Sequence, residues 1–157
     1  MTLKQENGAG WRSTLNAKEA DISSGTIKLD TGEIFIYGNA DDGSQFNISG
    51  GTFEMNDSNI STYPAMSDGD NSQKGAAMTV SGGTFKMNES SLGRENSGDL
   101  DISGGEFTFE NGSAIFHDGE TGDINISGGT ISLKDSSIIR GGDYQSEDGK
   151  PASGNIN

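Results

Sequence analysis

The chain of 157 residues has no cysteine, one histidine and only two prolines. Without cysteine, a disulfide framework, a thiolate metal site and a cysteine nucleophile are all excluded. The single histidine, His117, excludes a multi-histidine metal centre within one chain. The longest apolar runs are a few residues, such as Ile34 to Tyr37, whereas about 20 apolar residues are needed to cross a bilayer as a helix. We therefore expect no membrane insertion.

Basic residues are also scarce. Lysine and arginine together number 10 against 24 acidic residues, and the formal net charge is −14. Nucleic acids and anionic lipid headgroups are held mainly by lysine and arginine, so this balance predicts that neither is a partner. Residues 1–8 have no apolar stretch after their basic residue and do not form a secretory signal. Either secretion uses another route, or the sequence is a piece of a longer protein.

Glycine is abundant, with 25 residues, and it recurs at regular places. A six-residue string with the consensus Ile-Ser-Gly-Gly-Thr-Phe occurs five times, and successive copies are 22 to 32 residues apart. Repeat lengths in this range are typical of solenoid proteins. The last glycines of the five strings are Gly25, Gly51, Gly83, Gly105 and Gly129.

Alignment on these glycines gives five apolar columns. Two columns precede the glycines and two follow them, and within each pair the spacing of two residues predicts a strand with one face inward. A fifth column comes five residues later, after a polar corner, and predicts a third strand. The columns are Ala20, Phe46, Met78, Leu100, Ile124 and Ile156; Ile22, Ile48, Val80, Ile102 and Ile126; Ile27, Phe53, Phe85, Phe107 and Ile131; Leu29, Met55, Met87, Phe109 and Leu133; and Ile34, Ile60, Leu92, Ala114 and Ile138.

These columns predict an all-β fold, a right-handed parallel β-helix of about five coils with three short strands per coil. No single coil buries its own apolar face, but stacked coils share one continuous core. The predicted coils start near residues 20, 47, 79, 101 and 125, with loops at 62–77 and 141–154. Residues 1–19 are either the rest of a partial first coil or an N-terminal cap, with a short helix over 13–20.

The Gly-Gly turns and stacked apolar columns resemble those of right-handed parallel β-helices, an architecture shared by pectate-lyase-like enzymes, phage tailspikes and bacterial adhesin passengers. The resemblance covers roughly residues 20–140. It implies an extracellular or cell-surface structural or adhesive module, with a carbohydrate-active enzyme as the alternative. Pectate-lyase-like enzymes would place basic residues beside Ca²⁺-binding carboxylates on one sheet. Here Arg12, Arg94 and Arg140 occupy unrelated repeat positions, so we predict no catalytic residue.

An outward column of threonines suggests a further alternative, an ice-binding protein. The column contains Thr26, Thr52, Thr84 and Thr130 and is interrupted by Glu106. Threonine also favours strands for structural reasons, which accounts for the column without any ligand.

The extra length of the longer coils falls after the third strand, so one edge of the solenoid is predicted to carry variable, acidic loops. Solenoids commonly bind through the face that bears their insertions, and we predict a glycan or surface ligand there. The predicted binding residues are Tyr37, Asp41, Asp42, Tyr63, Asp68, Asp70, His117, Asp118 and Tyr144. Asp41, Asp42, Asp68 and Asp70 are also candidate Ca²⁺ ligands, and no other cofactor is expected. Alternatively, these loops are merely solvated.

Both chain ends fall inside a predicted coil. Residues 2–4 align with Thr84-Phe85-Lys86, and residues 154–157 repeat residues 122–125. The two ends are therefore complementary in phase, and Leu3 and Ile156 are the predicted contact residues of head-to-tail stacking. Such a contact repeats without closing and generates filaments. A fragment cut from a longer solenoid would show the same phase.

Overall fold

The structure, a computed structural model, describes residues 13–17, 19–37, 45–63, 76–94, 98–117, 123–135, 137–141 and 156–157. These residues form sixteen strands and no helix, and accordingly nothing within these ranges is a helix long and apolar enough to span a membrane. The strands pair in parallel in three sheets. The chain is thus the all-β parallel solenoid that the repeat predicts, with three strands per coil, while the right-handed sense of the winding stays a prediction.

In chain order the strands are β1 (Ser13–Ala17), β2 (Ala20–Ile22), β3 (Thr26–Asp30), β4 (Gly32–Tyr37), β5 (Gln45–Ile48), β6 (Thr52–Asn56), β7 (Asn59–Tyr63), β8 (Ala77–Val80), β9 (Thr84–Asn88), β10 (Ser91–Arg94), β11 (Leu100–Ile102), β12 (Glu106–Glu110), β13 (Ala114–His117), β14 (Ile124–Ile126), β15 (Thr130–Leu133) and β16 (Ile138–Gly141).

Each sheet collects one strand from every coil. The first sheet holds the strands before the Gly-Gly turns, in the order β2-β5-β8-β11-β14, and the second holds those after the turns, β3-β6-β9-β12-β15. The third sheet follows the polar corners and runs β1-β4-β7-β10-β13-β16. Ile156 forms a further parallel bridge to Ile124 in the first sheet. Because the pairing is parallel and in register, equivalent residues of successive coils lie directly beside one another.

The core takes side chains from all three sheets. In the second sheet, Phe53, Phe85 and Phe107 are completely buried. Their rings are stacked nearly parallel, with 4.6 Å between the centroids of neighbouring rings. This spacing is close to the distance of about 4.7–4.9 Å between neighbouring strands. One aromatic side chain therefore fills the same position in three successive coils without an intervening gap.

The predicted inward column of the third strand is wrong in its last two members. The register places Ile115, not Ala114, beside Leu92, and Ile139, not Ile138, beside Ile115. The cause is one additional residue in the corner before each of these strands. In the first of the two corners this gives the turn Asn111-Gly112, in which both residues have positive φ, 51° and 77°.

The N-terminal segment is a strand and not a capping helix. Strand β1 pairs in parallel with β4, which places Leu15 beside Ile34. A helix over 13–20 is therefore wrong, and residues 13–17 are the third strand of a partial coil, as the alternative expectation held. Leu3, which is predicted to lie in the same coil, falls outside the described residues.

The Ser-Gly-Gly turns bring the backbones of neighbouring coils into close contact. A Cβ atom at Gly82 would lie 2.5 Å from the carbonyl oxygen of Ser49 in the preceding coil, and the same obstruction recurs at Gly50, Gly104 and Gly128. Only glycine fits this position once another coil lies beneath it. The first turn has Ser24 there instead, and no described strand precedes β2 or β3 in their sheets.

We expect Gly82→Ala to lower the free energy of unfolding by at least about 2 kcal/mol, since the methyl group meets backbone and not a movable side chain. Ser24→Ala is the control, because it keeps a Cβ at the equivalent position of the first turn and should change stability by less than about 0.5 kcal/mol. Urea denaturation measures both. Equal stability of the two variants would contradict the close contact between the turns.

Candidate functional site

The strands of the third sheet end side by side along one edge of the solenoid. Strands β4, β7, β10 and β13 end at Tyr37, Tyr63, Arg94 and His117, and the segments that connect each coil to the next leave from there. We call this line of strand ends the loop edge. It is where the sequence places the variable acidic segments.

Of the predicted binding residues, three belong to strands at the loop edge. Tyr37 and Tyr63 are partners in the register of β4 and β7. His117 is the register partner of Arg94, a residue that the sequence did not assign to the site. The other predicted residues, Asp41, Asp42, Asp68, Asp70, Asp118 and Tyr144, lie outside the described residues.

One buried hydroxyl at the loop edge has no hydrogen-bond partner. Thr62 belongs to β7 although the sequence predicted a loop from residue 62. Its side chain is fully buried, and its Oγ1 is the one buried side-chain polar atom without a partner among the described residues. The register of the third sheet places Thr62 between Ile36 and Arg94. Sequence reasoning missed Thr62 because it assigned residue 62 to the loop after the strand and so expected no buried side chain there.

Three other buried hydroxyls are fully used. Ser58, Ser90 and Ser113 lie at the corners before the third strands. Ser58 Oγ donates to the Asn56 carbonyl at 2.6 Å and accepts the Gly32 N–H of the preceding coil at 3.1 Å. Ser90 and Ser113 repeat this arrangement, each accepting a backbone N–H from the coil before it. These serines join each corner to its neighbour.

Asparagine side chains form a corner ladder outside the core. Asn56 Nδ2 donates to Asp30 Oδ1 at 2.9 Å, and Asn88 Nδ2 donates to Asn56 Oδ1 at 2.6 Å. Asn111 Nδ2 continues the ladder by donating to Asn88 Oδ1. Every amide donates toward the N-terminal end, where Asp30 supplies a carboxylate that only accepts.

A second polar ladder follows the first sheet. Asn47 donates to Asp21 at 2.8 Å, and Asn125 donates to Asp101 at 2.9 Å. Asn157 extends this ladder by donating to Asn125 Oδ1 at 2.9 Å. The direction is the same as in the corner ladder, so each carboxylate again lies on the N-terminal side of the amide that it receives.

The outward face of the second sheet carries charged groups. Lys28 Nζ lies 2.5 Å from Glu54 Oε2, and the hydrogen bond and charge of Lys28 lower the pKa of Glu54. Lys86 is the next residue in this column. A groove of about 420 Å³ runs beside it. The lining residues are Leu29, Glu54, Met55, Asn56, Lys86, Met87, Asn88, Thr108 and Glu110.

Within the ranges that the structure describes, no three histidine or acidic side chains come together in a way that could hold a metal ion. The four predicted calcium ligands lie elsewhere in the chain, so calcium binding stays a prediction. No protein-family model matches the chain, and no curated protein and no solved structure matches it. The resemblance to pectate-lyase-like enzymes and adhesin passengers therefore rests on the repeat alone.

Thr62→Val should stabilise the protein, since valine keeps the shape of the side chain and removes a buried hydroxyl without a partner. We expect the free energy of unfolding to rise by about 1 kcal/mol. Thr26→Val, on the exposed face of β3, is the matched control and should be close to neutral. Urea denaturation of both variants measures the difference. Destabilisation by Thr62→Val would mean that the hydroxyl has a partner in solution.

Proposed function

We propose that the chain is a structural or adhesive solenoid module that acts outside the cell or at its surface. The observation that carries this proposal is the use of the repeated polar residues. The corner serines and both asparagine ladders bond one coil to the next, and Lys28 pairs with Glu54 across coils in the same way. The repeated surface thus contributes to a stiff support and leaves recognition to segments outside the repeat.

The loop edge supports the adhesive part of the proposal. Successive strands of the third sheet end there in register, so the connecting segments start at intervals of about 4.8 Å along the axis. This close spacing of the anchor points supports the proposal that neighbouring segments contact one ligand together. The predicted residues Tyr37, Tyr63 and His117 mark where three of these segments begin.

We expect glycan binding to need Ca²⁺ and the acidic segments. A variant with Asp41, Asp42, Asp68 and Asp70 changed to Asn should lose both the rise in Tm on adding Ca²⁺ and the signal on a glycan array. Carboxylates are stronger ligands for Ca²⁺ than amides of the same shape because they carry charge. The control Asp57→Asn, Asp135→Asn changes two corner residues away from the loop edge and should retain both responses.

Three results would contradict parts of this proposal. Binding that persists in a chelator and in the Asp→Asn variant would exclude the calcium site. A wild-type chain that binds no glycan on the array would leave the structural role without the adhesive one. New reducing ends or unsaturated products on incubation with acidic polysaccharides would favour the enzyme.

Head-to-tail stacking is the second candidate, and it is favoured by the C-terminal end of the solenoid. Ile156 and Asn157 continue the first sheet in register, with two backbone bonds of 2.9 Å to Ile124 and Ile126, while Leu133 on the last strand of the second sheet is 44% exposed. Among the described residues no strand pairs with the outer edge of β15, and an unpaired edge beside an exposed apolar side chain is a template for association. At the N-terminal end of the solenoid, the Cβ of Ser24 leaves no room for a Ser-Gly-Gly turn directly beneath it. The C-terminal end of a stacking partner would therefore have to stop before such a turn.

Electron microscopy of the concentrated protein tests stacking. We expect fibres from the wild-type chain and their loss in Leu3→Asp and in Ile156→Asp, because a charge at an apolar contact is costly to bury. Thr108→Asp, on the outward face of β12, is the control and should leave fibres intact. A monodisperse monomer at high concentration would exclude stacking without affecting the adhesive proposal.

A further inference from the structure

Asn111 and Gly112 form an exposed Asn-Gly turn at one corner of the solenoid. Among the described residues no other asparagine is followed by glycine. Both residues are exposed, and a Cβ built at Gly112 has no atom within 4 Å. The turn is therefore accessible to solvent, and the residue that follows the asparagine is glycine, which causes the least steric hindrance.

An Asn-Gly sequence can modify itself. The backbone nitrogen of glycine, after losing its proton, attacks Cγ of the asparagine. A bond forms between that nitrogen and Cγ, the Cγ–Nδ2 bond breaks, and Nδ2 leaves as ammonia with the proton that it gains. Water then opens the cyclic imide. Cleavage at Cγ gives aspartate, and cleavage at the main-chain carbonyl carbon gives isoaspartate.

In the folded chain, the structure holds both nitrogen atoms that must react. The Gly112 N–H donates to the carbonyl oxygen of Asp135 in the next coil at 2.9 Å. Asn111 Nδ2 donates to Asn88 Oδ1 in the preceding coil. The first bond keeps the proton on the attacking nitrogen, and the second keeps the carboxamide in the corner ladder. The reaction requires at least the bond to Asp135 to open.

We infer that Asn111 is a deamidation site whose rate is controlled by opening of the final coil, which contains β15 and Asp135. Deamidation then damages the stack that had prevented it. Aspartate at this position has no amide to donate, so Asn88 Oδ1 loses its donor and faces an acceptor. Lys134 pairs with Glu110 at 3.0 Å, but Glu89 and Asp135 leave this corner with a net negative charge, so the added charge is also repelled. Isoaspartate adds a methylene to the main chain within a turn.

The test compares two matched variants at opposite ends of the phenylalanine column. Ile131 stacks on Phe107 in the final coil, and Ile27 stacks on Phe53 in the first described coil of that sheet. Ile131→Ala should raise the rate of deamidation at residue 111 several-fold, since it loosens the coil that holds Gly112. Ile27→Ala should leave that rate unchanged. The full chain is incubated at mildly alkaline pH, and peptide mass spectrometry measures aspartate and isoaspartate at residue 111.

The wild-type chain unfolded in urea gives the rate of deamidation without the protection of the fold, and this sample should deamidate fastest. No product in urea would overturn the assignment of a reactive site, and equal rates in urea and in the folded wild type would overturn the protection. Should Ile131→Ala unfold the whole chain, Ile131→Val provides the milder comparison.

The effect of deamidation on stability is tested separately. Asn111→Asp should lower the Tm more than Asn111→Gly, because glycine fits the positive φ and adds no charge. A wild-type Tm for Asn111→Asp would overturn the proposed damage to the ladder.

Discussion

The close contact between successive Ser-Gly-Gly turns is the constraint on which the rest of the solenoid depends. A carbonyl oxygen of one coil occupies the place that a Cβ would take at the first glycine of the next, as Gly82 shows against Ser49. This contact lets the backbones of two coils approach to the spacing of paired strands on both sides of the turn. The first two sheets can then keep one register through every coil, so that the phenylalanine rings stack at the same interval.

Polar residues follow the same rule of identical stacking. Buried or half-buried polar groups cost free energy unless each finds a partner, and a repeat solves this by giving each residue its own equivalent as partner. The serine corners and the corner ladder pass hydrogen bonds from coil to coil in this way. Thr62 shows what happens when the rule is broken, since it lies between Ile36 and Arg94 and its hydroxyl has no partner.

Much of this fold was predictable because apolar residues two positions apart, on either side of a glycine pair, define two strands and their inward faces. The register of the third strand was not predictable. Ala114-Ile115 and Ile138-Ile139 are apolar at both candidate inward positions, so a strand shifted by one residue still looks amphipathic. The serine column would have resolved the shift, since each serine stands two residues before the inward side chain. These pairs are Ser58 and Ile60, Ser90 and Leu92, Ser113 and Ile115, and Ser137 and Ile139. Residues 13–17 were ambiguous because one short segment carries no period that separates helix from strand.

The candidate site was less predictable than the fold for a related reason. A position that repeats is constrained on both sides by its equivalents, so its residue type reports stacking and says little about a ligand. Thr62, Arg94 and His117 share one column of the third sheet and yet differ in chemistry, which stacking alone does not require. These three residues lie at or next to the described ends of their strands in the third sheet, and the lengths of the segments that follow also vary between coils. This contrast supports the proposal that recognition belongs to the loop edge, while the repeated faces keep the coils together.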